Sequence, residues 1–265
     1  MNGSARIGIV GCGYIGSAVY RHVAGNPGLG LEVAFVNDID PARLAGIPPH
    51  LRLSDLAGFA RFRADLVVEV AHPSVSRDHG AAILEATDYM PLSLTALADP
   101  GLEEKLVCTA GRKGTSLYIP HGTAVGLEAL EEGRDSWEEV TFTMKKPAGS
   151  VDRGSLPESA QGQKEGATVL YDGPTRGICP LFPRNVNSHA AVALAGIGFD
   201  RTRSLFIADP DLEKSSIHLQ ARGRDVEMSL SRSSPMTGVS SQVVLSSIQS
   251  SISRVKGAGS TVRIC

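Results

Sequence analysis

Residues Arg6-Ile-Gly-Ile-Val10 form a short apolar run that ends on Gly11-Cys-Gly13-Tyr14-Ile15-Gly16. The chain then continues with Ile15, Val19 and Val23 at helical spacing. No other feature restricts the fold as much, because each glycine in this order has a separate reason. The first lets the chain turn sharply, the second lets the backbone approach a pyrophosphate, and the third lets the helix pack closely on the strand. The helix start, at Tyr14 and Ile15, adds free N–H groups and a partial positive charge facing the same anion. A second apolar run, Leu31–Val36, ends at Asn37-Asp38, 22 residues after Gly16. A carboxylate at that distance holds the adenosine ribose hydroxyls. GxGxxG alone is a weak pattern, but the whole strand–loop–helix–strand–acid unit predicts a bound dinucleotide. Asp38 repels a 2′-phosphate and favours NAD, while Arg43 close by leaves NADP open.

The alternation continues through Leu66–Val70 (strand), Val75–Ala86 (helix), a run near Met90–Leu92, and Ser116–Ile119 stopped by Pro120. Strands alternating with helices predict an α/β fold, a Rossmann-type doubly wound parallel sheet. Ligands of such sheets lie at the carboxyl ends of the strands, which adds Ala71, His72, Ser93, Thr95 and Ala96 to the expected cofactor contacts. Pro73 imposes an extended backbone on His72 and favours a positioning role for it over a catalytic one. After Gly122 the texture changes. Thr123–Glu132 reads as a helix, Glu138–Lys145 as a half-exposed strand, and 147–166 as a long loop. Thr168–Tyr171 reads as a strand, Asn187–Ala195 as a helix, and Ser204–Ala208, Ile217–Ala221 and Val226–Leu230 as strands. Ser240–Val255 reads as a final helix. Closely spaced strands predict an antiparallel or mixed sheet and so a second, α+β domain.

Composition removes several classes of function. The net charge of −2 argues against a nucleic-acid surface, and an aromatic content of 5% argues against a base-stacking platform. No apolar run is long enough to span a membrane, and no secretory signal pattern opens the sequence. Cys12, Cys108, Cys179 and Cys265 are never closer than 71 residues, so no metal-binding Cys pair exists and all four read as small buried residues of a reduced, cytoplasmic protein. The histidines are scattered, and no metal site is expected.

Several downstream runs carry a resemblance. They are Pro120-His-Gly-Thr-Ala-Val-Gly126, Lys145-Lys-Pro147, Thr168-Val-Leu-Tyr-Asp-Gly-Pro-Thr-Arg-Gly-Ile-Cys-Pro180, Pro183-Arg-Asn-Val-Asn-Ser-His-Ala-Ala191, Gly198-Phe-Asp200, Ala208-Asp-Pro210 and Ile217-His-Leu219. Together with the glycine loop they resemble the L-aspartate dehydrogenase family, most closely its animal-type branch, over essentially the whole chain. The resemblance implies NAD(P)-dependent oxidation of L-aspartate, through the imine, to oxaloacetate and ammonia, and a homodimer. It implies a cofactor domain of residues 1–121 and 238–265, completed by the last helix, and a substrate and dimerisation domain of residues 122–237 with an open mixed sheet. It makes His218 the catalytic residue and puts Asn187 and Thr123 at the cofactor. His121, Lys145 and Asn185 are the expected contacts of the amino dicarboxylate substrate. The sequence departs from the family at His121, where serine is common, and at Ser234–Gly238, which lacks the lysine of the usual Asn-Pro-Lys-Thr-Ser.

These residue types suit the chemistry. Amino-acid oxidation needs a group that moves protons near neutral pH, which imidazole does. A carboxamide can hold nicotinamide by donating and accepting at once, and a substrate with two carboxylates needs cations or N–H donors around it. Read from the strand alone, His218 points opposite to Ile217 and Leu219 and is a solvent-facing histidine. Asn185 and Asn187 read alone are a helix cap and its neighbour, and His189 is structural. Two alternatives remain open: a dehydrogenase or reductase of another small amino or imino acid, and a non-catalytic NAD(P)-binding sensor.

Overall fold

The computed structural model describes residues 4–152, 166–237, 240–241 and 243–257. The central part of the expected 147–166 loop, the boundary at residue 238 and Cys265 fall outside these residues. The chain divides into two compact units: 1–93, 100–120 and 245–265 form the first, and 94–99 with 121–244 the second.

The first unit is built on five strands: β1 (Ala5–Val10), β2 (Leu31–Asn37), β3 (Arg52–Leu53), β4 (Leu66–Glu69) and β5 (Asp88–Pro91). All pair parallel in the order β3-β2-β1-β4-β5. The central strands have no polar alternation because both faces are covered: every residue of β4 is buried, as are Ile7, Ile9 and Val10 of β1. Helices α1 (Tyr14–Gly25), α2 (Pro73–Leu84) and α3 (Pro100–Lys113) follow β1, β4 and β5. α3 was not anticipated, although Leu102, Leu106, Thr109 and Ala110 form its buried stripe. The strand expected at Ser116–Ile119 amounts to one bridge, Leu117 with Tyr89. A last helix, α7 (Val243–Lys256), buries Val244, Ile248 and Ile252, and its Lys256 Nζ lies 2.7 Å from Asp88 Oδ2 within the first unit.

The order β3-β2-β1-β4-β5 reverses direction between β1 and β4, so the crevice for a ligand opens at the carboxyl ends of these two strands. Gly11 and Ala71 stand there.

The second unit is a six-stranded mixed sheet. Its strands are β6 (Glu139–Pro147), β7 (Thr168–Pro174), β8 (Thr202–Asp209), β9 (Lys214–Arg222), β10 (Glu227–Thr237) and β11 (Ser240–Ser241), in the order β11-β10-β9-β6-β8-β7. β6 runs parallel to β8 and antiparallel to β9. Helices α4 (Leu127–Glu132), α5 (Thr175–Leu181) and α6 (Asn187–Ala195) complete the unit. α4 is shorter than the expected Thr123–Glu132, because Gly122 and Gly126 adopt positive φ (55° and 71°) and make a turn instead. At Gly126 a Cβ would lie 2.3 Å from Leu230 Cδ1, so the turn depends on glycine.

α6 packs on one face of this sheet: the His189 ring meets Phe142 at 4.8 Å between centroids, and its Nδ1 is 2.9 Å from Ser204 Oγ. Phe142, Ser204 and Leu219 are paired across β6, β8 and β9, so they share that face. The opposite face carries Thr141, Thr143, Lys145, His218, Gln220 and Ser231. Leu205, Ile207 and Val169 lie on the same face, so it mixes polar and apolar side chains.

Candidate active site

In the first unit, the glycine loop separates into two kinds of position. Gly11 has φ +99°, and a Cβ there would lie 2.8 Å from Ala71 Cβ. A Cβ at Gly16 would lie 1.8 Å from the Gly11 carbonyl oxygen. The fold itself demands both glycines. Gly13 is different: φ is −75°, and the only atom a Cβ would meet is Arg43 Nη1 at 3.6 Å. Among the described residues nothing crowds position 13, which leaves the backbone there open to the approach of a bound group. α1 begins there without a side-chain cap, with Tyr14 half exposed. An open, uncapped helix start fits a pyrophosphate.

Asp38 ends β2 as expected. Its Oδ2 accepts the Cys12 N–H (2.6 Å), its Oδ1 accepts the Asp40 N–H (2.9 Å), and Arg43 Nη1 lies 3.7 Å from Oδ2. The carboxylate thus braces the glycine loop. Ile39 beside it is 99% exposed.

Glu69 is fully buried at the end of β4, at the head of the loop that carries Ala71 and His72. Its carboxylate accepts the Ala71 N–H (2.6 Å), the Ser93 N–H (3.0 Å) and the Ser93 hydroxyl (2.9 Å). Burial pushes its pKa up, against the pull of these donors and the His72 N–H. Glu69 thereby fixes the loop that carries Ala71 and His72, both exposed. His72 caps α2, its Nδ1 accepting the Ser74 N–H at 3.2 Å, which is a positioning role. Cys108 lies exposed on α3, contrary to the expectation of burial, whereas Cys12 and Cys179 are buried and free. Burial pushes the Cys179 thiol up to about 12, which makes it inert.

In the second unit, polar groups gather at the start of α6. Asn187 Oδ1 accepts the Thr95 N–H (3.3 Å), and the Thr95 hydroxyl donates to the Pro183 carbonyl (3.0 Å). Thr123 Oγ1 and Ser188 Oγ are 2.8 Å apart, and the Thr123 carbonyl accepts from Arg232. Three residues expected at the cofactor, Thr95, Thr123 and Asn187, thus lie together in this unit. Asn185 is buried. Its Nδ2 donates to the Asp152 carbonyl (2.7 Å), and its Oδ1 accepts the Asp152 N–H (3.1 Å) and the Lys146 Nζ (3.4 Å). Asp152 pairs with Arg184 at 3.0 Å. His121 Nε2 lies 2.8 Å from Glu128 Oε2 on α4.

Strand parity places two further candidates. Lys145 is exposed on the outer face of β6; its neighbour Lys146, 4% exposed, is the lysine that reaches Asn185. His218 stands where strand alternation puts it, opposite to Ile217 and Leu219. It pairs with Thr143 and Ser231, its Nε2 lies 2.9 Å from Ser229 Oγ, and it projects from the face opposite α6. The period-2 rule that turns Ile217 and Leu219 into the core turns His218 out. Arg232, paired with Ile217, lies on the α6 side and was missed; in the sequence it is one more basic residue in a polar strand.

Residues 127–255 match the family described as "Aspartate dehydrogenase, C-terminal", and residues 11–120 match "Homoserine dehydrogenase, NAD binding domain". The chain is 35% identical over 277 aligned residues to an aspartate dehydrogenase domain-containing protein of Xenopus tropicalis, covering 98% of each. It is 35% identical over 229 residues to L-aspartate dehydrogenase 1 of Bordetella pertussis, covering 84% of each. The crystal structure of aspartate dehydrogenase from Thermotoga maritima superposes with a TM-score of 0.76 at 21% identity, covering 98% of this chain and 99% of that one, and shows the same fold.

Proposed function

Because this chain belongs to the aspartate dehydrogenase family, we propose that it oxidises L-aspartate with NAD to iminoaspartate, which water converts to oxaloacetate and ammonia, reversibly. The chain is an NAD(P)-dependent amino-acid dehydrogenase; the proposal names its substrate and its preferred dinucleotide.

One observation carries the choice of a dicarboxylate: two cationic side chains, Lys146 and Arg232, reach the start of α6 from the same face of the second unit's sheet. An amino acid with one carboxylate needs one such partner, and a second cation suits a second carboxylate. Arg232 is anchored by the Thr123 carbonyl, and burial lowers its pKa, so it stands partly desolvated and gains from an incoming anion. The N–H groups at the start of α6 add to the anion field.

The Gly11–Gly16 loop, Asp38 and the backbone at Ala71 and His72 would hold the dinucleotide. The nicotinamide supplies the acceptor for the substrate's α-hydride. Asp38 favours NAD because a 2′-phosphate would meet its carboxylate, and Arg43 beside it leaves NADP a weaker second choice. Asn187 is the proposed donor to the nicotinamide carboxamide. We further infer a cytoplasmic homodimer, which cell fractionation and light scattering test.

The experiment is formation of NADH by purified protein with a panel of L- and D-amino acids. Turnover of L-aspartate well above all others is expected. NADH binding without turnover of any amino acid would overturn the reading and leave a dinucleotide sensor. Preference for another amino acid would overturn only the substrate.

A further inference from the structure

On the reading that Asn187 holds the nicotinamide, we propose that Thr95 touches no cofactor and instead positions Asn187, so that the Asn187 amide N–H groups meet the nicotinamide carboxamide at its oxygen. Thr95 sits in the short helical segment Leu94–Ala98, every residue of which is buried. The segment connects β5 to α3, two elements of the first unit, yet it belongs to the second. Both hydrogen-bond donors of Thr95 are spent there. Its N–H donates to Asn187 Oδ1 at 3.3 Å, and its hydroxyl donates to the Pro183 carbonyl at 3.0 Å. At 6% exposure, Thr95 has neither a free donor nor a surface to offer a cofactor.

Pro183 and Asn187 stand at the two ends of the turn that leads into α6, and Thr95 is bonded to both. The segment is anchored at its other end too. The Ala98 carbonyl accepts from Arg176 Nη1, while Arg176 Nε and Nη2 donate to Asp200 at 2.6 and 2.7 Å. Thr95 is thus a fixed point against which the Asn187 side chain is set.

The bond to Asn187 has a direction. A backbone N–H can only donate, so the amide atom that faces it is the oxygen. With Oδ1 turned to Thr95, Nδ2 is the outward end. It has no partner among the described residues, and Asn187 is only half-buried. The next side chain, Ser188, is already committed to Thr123 Oγ1 at 2.8 Å. Nδ2 is a donor, and of the two ends of a carboxamide only the oxygen accepts.

The test titrates three ligands calorimetrically. They are NADH, its 3-acetylpyridine analogue (the same oxygen, with a methyl in place of NH2) and ADP-ribose, which lacks the ring. Asn187→Ala is expected to weaken NADH and the acetylpyridine analogue by one common factor, about 3- to 10-fold, and to leave ADP-ribose unchanged. Thr95→Val keeps the shape and the N–H but releases Pro183. It should weaken the same two ligands about threefold and spare ADP-ribose, and Thr95→Ser should restore them. In the double variant the loss should not exceed that of Asn187→Ala alone, because Thr95 acts only through Asn187. If Thr95→Val does not fold, Thr95→Ala is read by the same titrations. Additive losses would mean that Thr95 reaches the cofactor itself, and would overturn the proposal. A loss in Asn187→Ala confined to NADH would overturn it by placing the contact at the carboxamide nitrogen. A loss shared by ADP-ribose, or a Thr95 variant that binds all three ligands as before, would overturn it as well. NADH binding unmoved by Asn187→Ala would instead refute the nicotinamide contact on which the proposal rests.

Discussion

Gly13→Ala separates a glycine required by the fold from one required by a ligand. The added methyl meets no atom closer than 3.6 Å, and φ of −75° suits alanine. Loss of unfolded-state freedom favours the variant by about 0.4–1 kcal/mol. Against that, alanine is a poorer helix N-cap than glycine by roughly the same amount. The two offset, so the free protein should melt within about 3 °C of the original, since ~1 kcal/mol moves a chain of this size by about 2–4 °C. Dinucleotide binding should behave otherwise. A methyl at the loop holds the pyrophosphate away, and losing one charge-assisted hydrogen bond costs about 1.5–3 kcal/mol, a factor of roughly 10–150 in Kd. NADH at 100 times the original Kd stabilises by about 2.7 kcal/mol; a 30-fold weaker complex gains only about 0.9 kcal/mol at the same concentration. NADH fluorescence titration and melting with and without NADH read both quantities. An unchanged Kd would refute the argument that the space at Gly13 is a ligand's, and a large loss of melting temperature in the free protein would refute the argument that it is empty.

Glu69→Ala strands the donors of Ala71, His72 and Ser93 around a buried site, so urea unfolding should show a loss of about 3 kcal/mol or more. His189, whose pKa falls from about 6.5 to about 3 on folding, contributes stability that is fully present above pH 6.5 and is lost as pH falls toward 3. The loss should reach about 2 kcal/mol by pH 5, and a His189→Gln variant should flatten that part of the stability profile. Arg232→Met should raise KM for L-aspartate about 10- to 100-fold while leaving the NADH Kd unchanged, measured by kinetics and fluorescence. Asp38→Ser should move the NADP-to-NAD ratio of kcat/KM upward by about tenfold or more, with some weakening of both because the Cys12 N–H loses its acceptor.

The first unit was legible because its signals are local. The glycine spacing, the β2 acid and the runs in β1, β2 and β4 each sit within one element, and buried parallel strands announce themselves as unbroken apolar runs. α3 shows a four-residue stripe that was readable and overlooked. α5 was hidden for another reason: Thr175–Leu181 contains Gly177 and Pro180, which argue for a turn, and tertiary packing of Ile178 and Cys179 outweighs them. Glu69 reads in sequence as an ordinary strand-end acid, because its partner Ser93 is 24 residues away and becomes a neighbour only when β4 pairs with β5.

His218 and Lys146 show why motif and parity must be weighed together. The sequence holds two lysines in a row and a histidine between two apolar residues, and strand geometry sends adjacent residues to opposite faces. Ile217 and Leu219 are core, so His218 would lie on the side of α6 only if that helix covered the polar face of the sheet. The helix instead lies where Phe142, Phe206 and Leu219 need cover, because burying those side chains is worth about 1.5–3 kcal/mol each. The same rule exposes Lys145 and buries Lys146. Once the apolar face is known, the origin of the groups near the start of α6 follows with it: those that come from the sheet sit at strand positions in phase with the core. Lys146, in phase with Met144, and Arg232, in phase with Ile217, meet that condition, and His218, one residue out of phase, faces the other side of the sheet.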